Sequence, residues 1–448
     1  MSTLTARHVI LELSSGVLPL SVQRERGNIM MRKRLLSLAL CGALLLGLIG
    51  CGGKEAEPGN APPEEDTVTD HVEPAEELPI QIPYAIYDPT VMPEGGQRDG
   101  VAYAAYDGIV EHLFFHPVIA YPELAFDGDA QEKGLDDYMV TAEEFLRILN
   151  SVYERGYVLV DIADVWSETT NEAGEHVMVR NTLYLPEGKK PLIFSYDDTN
   201  YYPYMLDNGF TYKLILGEDG KIWSYGLDPD GSEVVSRDLD AITILDKFVE
   251  EHPDFSPFGA KACLSVTGYE GILGYRTQTD STVEWTAERE AARQREREAV
   301  KPIIAELKRT GWTFGSHTWG HIRLSGAAKT LSEIQADTEK WFDEVGSLVG
   351  ETTILFYPHG ERPDGDDWQK TGEIFRYLQG QGFRVFCSVG IESFSYIKKD
   401  ICAVICDRLH PDGTTLRSKY VDERYGQFYD VREIIDLDAR PDYGVGWQ

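Results

Sequence analysis

At 448 residues the chain has room for two or three average domains, or for one large domain carrying insertions. Hydrophobic residues make up 42% and charged residues 26%, the balance of a globular protein, which excludes a fibre and a wholly disordered chain. A net charge of −33 excludes nucleic-acid binding through phosphate neutralisation and gives no attraction to anionic wall polymers. Its plain reading is solubility.

The first patterned region is Met30 to Cys51. Arg32, Lys33 and Arg34 form a positive start, and Leu35 to Ile49 is an apolar run of signal-peptide length, too short to span a bilayer comfortably. It ends Leu48-Ile49-Gly50-Cys51, which resembles the bacterial lipobox, where the Cys thiol takes a diacylglycerol and becomes the first residue. A lipidated Cys anchors a protein to a membrane without spanning it. The expectation is an exported, membrane-anchored lipoprotein facing the cell wall or exterior, with residues 30–50 as its signal peptide. Residues 1–29 do not fit a leader that should begin the chain; they read as an untranslated or extended N-terminus, with translation starting at Met30 or Met31. Residues 51–90 are rich in Pro, Glu, Asp and Ala. Such a stretch buries too little apolar surface to offset its ordering entropy, and reads as a disordered acidic tether.

Residues 101–448 read as the globular part of the chain. Leu113 to Ile119 is a strand-like run. Thr141-Ala142-Glu143-Glu144 is a capping box, Phe145, Leu146, Leu149 and Tyr153 follow at helical spacing, and Gly156 ends the helix. Tyr157 to Ile162 is the next strand, and Lys190 to Tyr196 another, ending in two aspartates. Residues 206–260 and 280–300 read as insertions. The first holds a hairpin over Leu214 to Trp223 turning at Gly217-Glu218-Asp219-Gly220; the second lies in a charged helix, Glu284 to Arg309, which Pro302 should break or restart. Ile401 to Cys406 reads as a buried strand. Cys263, Cys387, Cys402 and Cys406 lack a Cys-x-x-Cys pair and read as core residues rather than a zinc site, one disulfide among them being left open. Strands alternating with helices predict an α/β fold with a largely parallel sheet, closed as a barrel.

Three segments carry chemistry. Ser195-Tyr196-Asp197-Asp198-Thr199 puts two carboxylates at the C-terminal end of a strand, where α/β folds form their sites. Adjacent side chains there point to different sides, so one can bind a metal while the other handles a proton. His317 and His321, four apart, would share a helix face and meet one ion; with a distant Asp they leave coordination open for water. Phe356-Tyr357-Pro358-His359-Gly360 and Leu409-His410-Pro411-Asp412-Gly413 each read as a turn after a strand.

In this order the segments resemble the polysaccharide deacetylase domain, carbohydrate esterase family four. That family carries Thr-Phe-Asp-Asp-Gly, His-Ser/Thr-x-x-His, Arg-x-Pro-Tyr and a late Leu-x-His. Phe115-His116 resembles the Tyr-His of its first strand, and the likeness covers about residues 105–417. The resemblance implies a deformed (β/α) barrel with insertions, preceded by the tether, and a hydrolase that removes N- or O-linked acetyl groups from an extracellular polysaccharide. It implies one divalent metal, zinc first and Co2+, Ni2+ or Mn2+ as alternatives, held by Asp198, His317 and His321. Asp197 would take a proton from the attacking water, a backbone amide near His359 would stabilise the oxyanion, and His410 would protonate the leaving nitrogen or oxygen.

The chain departs from the pattern in two places. The Gly after Asp-Asp is Thr199, and the Arg that orients the base carboxylate is Phe356. A substitute cation is therefore expected at Asp197, Arg408 first and Arg362 second. Tyr201, Trp319 and Tyr357 are candidates to stack on sugar rings, with Tyr202, Tyr204, Trp223 and Tyr225 beside them. The expected partners are an acetylated glycan and, through Cys51, a membrane; nucleic acid is not expected, and the protein reads as a monomer. The rival reading, favoured by the missing Arg, is a catalytically impaired, sugar-binding surface lipoprotein of the same fold.

Overall fold

The structure, a computed structural model, describes residues 87–365, 367–418 and 424–447. Residues 1–29, the signal peptide, Cys51 and the tether up to residue 86 lie outside the described residues. Among the described residues no helix is long and apolar enough to cross a membrane.

Among the described residues the main sheet has nine strands, of which seven run in barrel order: β1 (Glu111–Phe115), β2 (Lys190–Asp197), β3 (Cys263–Val266), β4 (Thr313–Ser316), β5 (Ile354–Phe356), β6 (Val385–Val389) and β7 (Val404–Arg408); Tyr157–Leu159 pairs in parallel with β2, and Ser395–Ile397 antiparallel with β7. Each of the seven pairs in parallel with the next in chain order. The sheet curls until its ends meet: Leu113 bridges Leu409 in parallel, with Phe114 N–H on the Leu409 carbonyl and Leu409 N–H on the His112 carbonyl, each at 2.9 Å. The expected deformed (β/α) barrel is therefore present, closed at a single bridge.

The strands alternate with period two. Ile193, Cys263, Ile354, Phe356, Cys387 and Cys406 pack into one apolar cluster. Their neighbours Phe194, Leu264 and Phe314 join a second cluster with the helices outside. Among these helices is α1 (Ala142–Glu154), whose capping box is complete: Thr141 accepts Glu144 N–H, and the Glu144 carboxylate accepts Thr141 N–H. Phe145, Ile148, Leu149 and Val152 are fully buried along one face, each contributing roughly 1.5–3 kcal/mol. Gly156 follows with φ 80°, the left-handed end that glycine supplies without strain.

The expected hairpin is present, Ile222 pairing with Leu216, and a third strand (Glu233–Ser236) extends it. Helix α2 (Ala241–Glu251) follows. Helix α3 (Ala287–Arg309) corrects the sequence expectation: it runs unbroken through Pro302. Pro302 faces solvent, while Val300, Ile303, Ile304 and Leu307 are buried on either side of it, so packing of the inner face carries the helix past the missing hydrogen bond. Cys263, Cys387, Cys402 and Cys406 are buried free thiols, as core residues would be.

Candidate metal centre

The chemistry gathers at the C-terminal ends of the barrel strands. Asp197 ends β2, Arg408 ends β7, and His116, His317 and His359 lie just beyond β1, β4 and β5. The backbone here is contorted. Asp198, Tyr201, Thr318, His321 and His359 all have positive φ, 51° to 61°, without being glycine. Such strain costs of order 1–3 kcal/mol per residue and persists where surrounding structure enforces it, which is characteristic of functional sites.

Asp198, His317 and His321 each offer one ligand atom, and these atoms lie within 4.8 Å of one another. The histidines do not share a helix face, as the spacing had implied. They stand on a loop beyond β4 that turns at Thr318 and His321, both left-handed. Asp337 of helix α4 (Leu331–Trp341) holds this loop by accepting the N–H groups of Trp319 at 2.8 Å and Gly320 at 2.7 Å. His317 Nδ1 lies 3.0 Å from the Phe356 carbonyl and donates to it, so Nε2 is the ring nitrogen a metal ion would take. Burial lowers the pKa of His321, favouring its neutral form. Burial opposes ionisation of Asp198, but His321, His317 and His116 overcome it and hold the carboxyl below its usual range. An ionised carboxylate with two imidazole nitrogens within 4.8 Å of one another is a donor set that suits a divalent ion, so these residues fit one.

Asp197 is served differently. Arg408 Nη1 lies 2.8 Å from its Oδ1 and Nη2 2.9 Å from its Oδ2, a bidentate pair with side-chain exposures of 0% and 4%. The guanidinium sits between two rings, 4.1 Å from the Phe114 centroid and 4.6 Å from that of Phe356. Phe356, in the place where an Arg was expected, thus packs against the Arg that arrives from β7. Gly315 makes room for it, since a Cβ there would meet the Phe356 ring at 2.4 Å. Arg408 also donates to Ser195 Oγ at 3.1 Å, which in turn lies 2.9 Å from His112 Nε2. Burial works against the Asp197 charge, yet Arg408 and then His317 hold the carboxyl far below its usual range. Arg362, the second cation named from the sequence, does not reach Asp197; it is paired with Asp407 at 2.6 Å.

His410 stands one residue back from the centre. Its Nδ1 lies 3.0 Å from Asp412 Oδ2, its Nε2 3.0 Å from His116 Nδ1, and its ring stacks on Phe114. Both nitrogens are committed, so the nitrogen facing Asp198 is His116 Nε2, 3.8 Å from Oδ2. Burial and then His410 push the His116 pKa down to about 4.

The stacking candidates require correction. Tyr201 and Tyr357 are 0% and 1% exposed and cannot offer a face to a sugar. Trp319 is half-buried, its indole N–H donated to Glu344 at 2.8 Å and one face taken by Lys340 Nζ at 3.5 Å. Trp223 is tied to Asp219, and Tyr225 packs edge-on to Tyr212. Tyr202 is buried and donates to Asp198 Oδ1 at 2.6 Å, while Tyr204, 39% exposed, stacks on it. His359 brings its ring within 4.4 Å of His321, and burial followed by His321 lowers its pKa to about 4.

Sequence reasoning assigned no role to His116, Asp337 or Asp412, and named Tyr202 only as a stacking candidate. Asp412 was within reach, two residues from His410, and Tyr202 lies four residues from Asp198; His116 and Asp337 are brought in by tertiary packing.

No protein-family model matches the chain, and no curated protein matches it. Among solved structures, IcaB from Ammonifex degensii is 12% identical with a TM-score of 0.34, over 68% of this chain and 91% of that one. BC0361, a polysaccharide deacetylase from Bacillus cereus, is 13% identical with a TM-score of 0.36, over 72% of this chain and 69% of that one. The chain is similar to both, at low overall superposition.

Proposed function

We propose that this chain is a metal-dependent hydrolase that removes N- or O-linked acetyl groups from an extracellular polysaccharide. One observation carries the reading: Asp198, His317 and His321 converge on one point while a second carboxylate, Asp197, is held ionised beside them by Arg408. The choice of acetyl groups on a glycan is supported by the ordered motifs that resemble the polysaccharide deacetylases.

A divalent ion, when bound, supplies Lewis-acid polarisation of an acetyl carbonyl and acidifies a water. Asp197, kept charged by Arg408, accepts the proton of the attacking water. Its two oxygens are fixed by the guanidinium fork, so it is aimed before substrate arrives, and pre-orientation of this kind lowers the barrier without cost at the moment of reaction. His116 Nε2, 3.8 Å from Asp198 Oδ2, is assigned the proton of the leaving nitrogen or oxygen. His410 stands behind His116 and Asp412 behind His410, a chain in which a proton lost from His116 is replaced through Nδ1.

The chain would act outside the cell, anchored by lipid on Cys51 at the end of its tether. The rival reading, a sugar-binding lipoprotein without activity, drew its support from a missing partner for Asp197; Arg408 at 2.8 Å weighs against it.

Acetate release from a panel of N-acetylated and O-acetylated glycans, with chelator and with metal restored, tests the activity. Metal-dependent release supports it. Binding to the same glycans by folded, metal-replete protein without release would establish the rival. Mass spectrometry of protein extracted from membranes should find Cys51 modified; a soluble product beginning elsewhere would overturn the anchor.

A further inference from the structure

The carboxylate of Asp198 is divided between two environments. Oδ2 faces the imidazoles, 3.8 Å from both His321 Nε2 and His116 Nε2. Oδ1 faces away from them and receives the Tyr202 hydroxyl at 2.6 Å. A carboxylate oxygen only accepts, so the phenol must be the donor, and that length is typical of an O–H bonded to a charged oxygen. The phenol oxygen lies 2.9 Å from Thr267 Oγ1, whose hydroxyl is then its donor. The Tyr202 ring is buried and stacked on Tyr269 at 5.2 Å, so its hydroxyl has little freedom to turn elsewhere.

We infer that Tyr202 is a positioning residue for the metal centre, whose phenol occupies Asp198 Oδ1 and so makes Asp198 a one-oxygen ligand through Oδ2. It presupposes the reading of Asp198, His317 and His321 as metal ligands. With Oδ1 hydrogen-bonded to the phenol, Oδ2 is the oxygen offered to the ion, and a coordination position is kept for water or substrate. Outer partners of this kind set ligand orientation, and their loss weakens metal affinity ~10–100-fold.

The test uses full-length protein, wild type and Tyr202→Phe, stripped of metal and titrated with Zn2+ against a chromophoric chelator. A second arm records the visible spectrum of the Co2+ forms, which reports coordination number and geometry. The expected result is a ~10–100-fold weaker Zn2+ affinity in Tyr202→Phe together with an altered Co2+ spectrum. Equal affinity and superimposable spectra would overturn the inference. Thermal unfolding of the metal-free proteins keeps a folding defect apart from a change in the centre. If Tyr202→Phe does not fold, Thr267→Val carries the test, since it removes the hydroxyl that orients the phenol. A several-fold loss of affinity supports the role, and unchanged affinity overturns it. A wild-type protein that binds no metal would instead overturn the proposed function, so the two failures are distinguishable.

Discussion

Replacing Arg408 with Met removes the guanidinium while leaving an unbranched side chain to fill the space between Phe114 and Phe356. Arg408 and Asp197 are almost completely buried, at 0% and 4% side-chain exposure, so the carboxylate left behind is neither paired nor hydrated. Breaking a buried pair from one side costs roughly 3–5 kcal/mol, most of it the stranded charge rather than the lost attraction. Folded domains gain about 2.1 cal/mol/K of unfolding entropy per residue, so over the compact unit Ile82–Gln448 that loss lowers Tm by about 4–7 °C. The double variant Arg408→Met/Asp197→Asn carries no stranded charge and should regain ~2 kcal/mol or more of the loss. Denaturant unfolding of the wild type, both single variants and the double variant measures the cycle. Activity separates from stability: Arg408→Met should lower kcat ~100-fold or more and KM little, because a misaimed base is felt in the transition state. If the single variant loses under ~1 kcal/mol, or the double variant is no more stable than the single, the stranded-charge argument is refuted.

His317→Ala should leave a centre that retains no metal after gel filtration, by elemental analysis; a full equivalent retained would exclude His317 as a ligand. His116→Phe should lower kcat ~10²–10⁴-fold with KM nearly unchanged, and Asp412→Asn should do the same more weakly; full activity in His116→Phe with none in His410→Phe would reverse the order of the relay. Asp164 is driven up to about 7 by burial, then by Asp161 and Asp88. The folded state therefore holds a proton between pH ~4 and ~7 that the unfolded state has released, and stability falls as pH rises through that window. Asp164→Asn should abolish this part of the fall, and parallel stability–pH curves for the two proteins would refute the assignment.

Much of this architecture was legible because it is written locally. The Thr141 capping box and Gly156 mark both ends of α1 within a few residues, and the apolar run into Asp197-Asp198 announces a strand whose end faces a site. The histidine pair was legible as chemistry but not as structure. An i, i+4 spacing fits a helix and a tight loop equally, and what decides is left-handed backbone at Thr318 and His321, which no glycine signals. Pro302 misled because the rule against it is local, whereas the burial of Val300, Ile303, Ile304 and Leu307 is not. Charge logic named Arg408, since a buried carboxylate without its expected partner needs another. Tyr202 meets Asp198 from four residues further along the same loop and His116 from the neighbouring strand, and the loop's path and the strand pairing that bring them in are not written in the local sequence.

The bridge between Leu113 and Leu409 joins the first strand of the barrel to the last. Every group that depends on it is assembled late in the life of the chain: Phe114 and His116 come from one side of the seam, Arg408 and His410 from the other, and the His116–His410 contact spans 294 residues of sequence. Contacts so distant form slowly, because a long loop must close before they return any stabilisation. A chain still emerging, or shortened before β7, would hold Asp198, His317 and His321 yet leave Asp197 without its cation and two strand edges unpaired. Closure of the seam and completion of the Arg408–Asp197 pair are therefore one event, and the proposed hydrolysis would report that the last strand has docked.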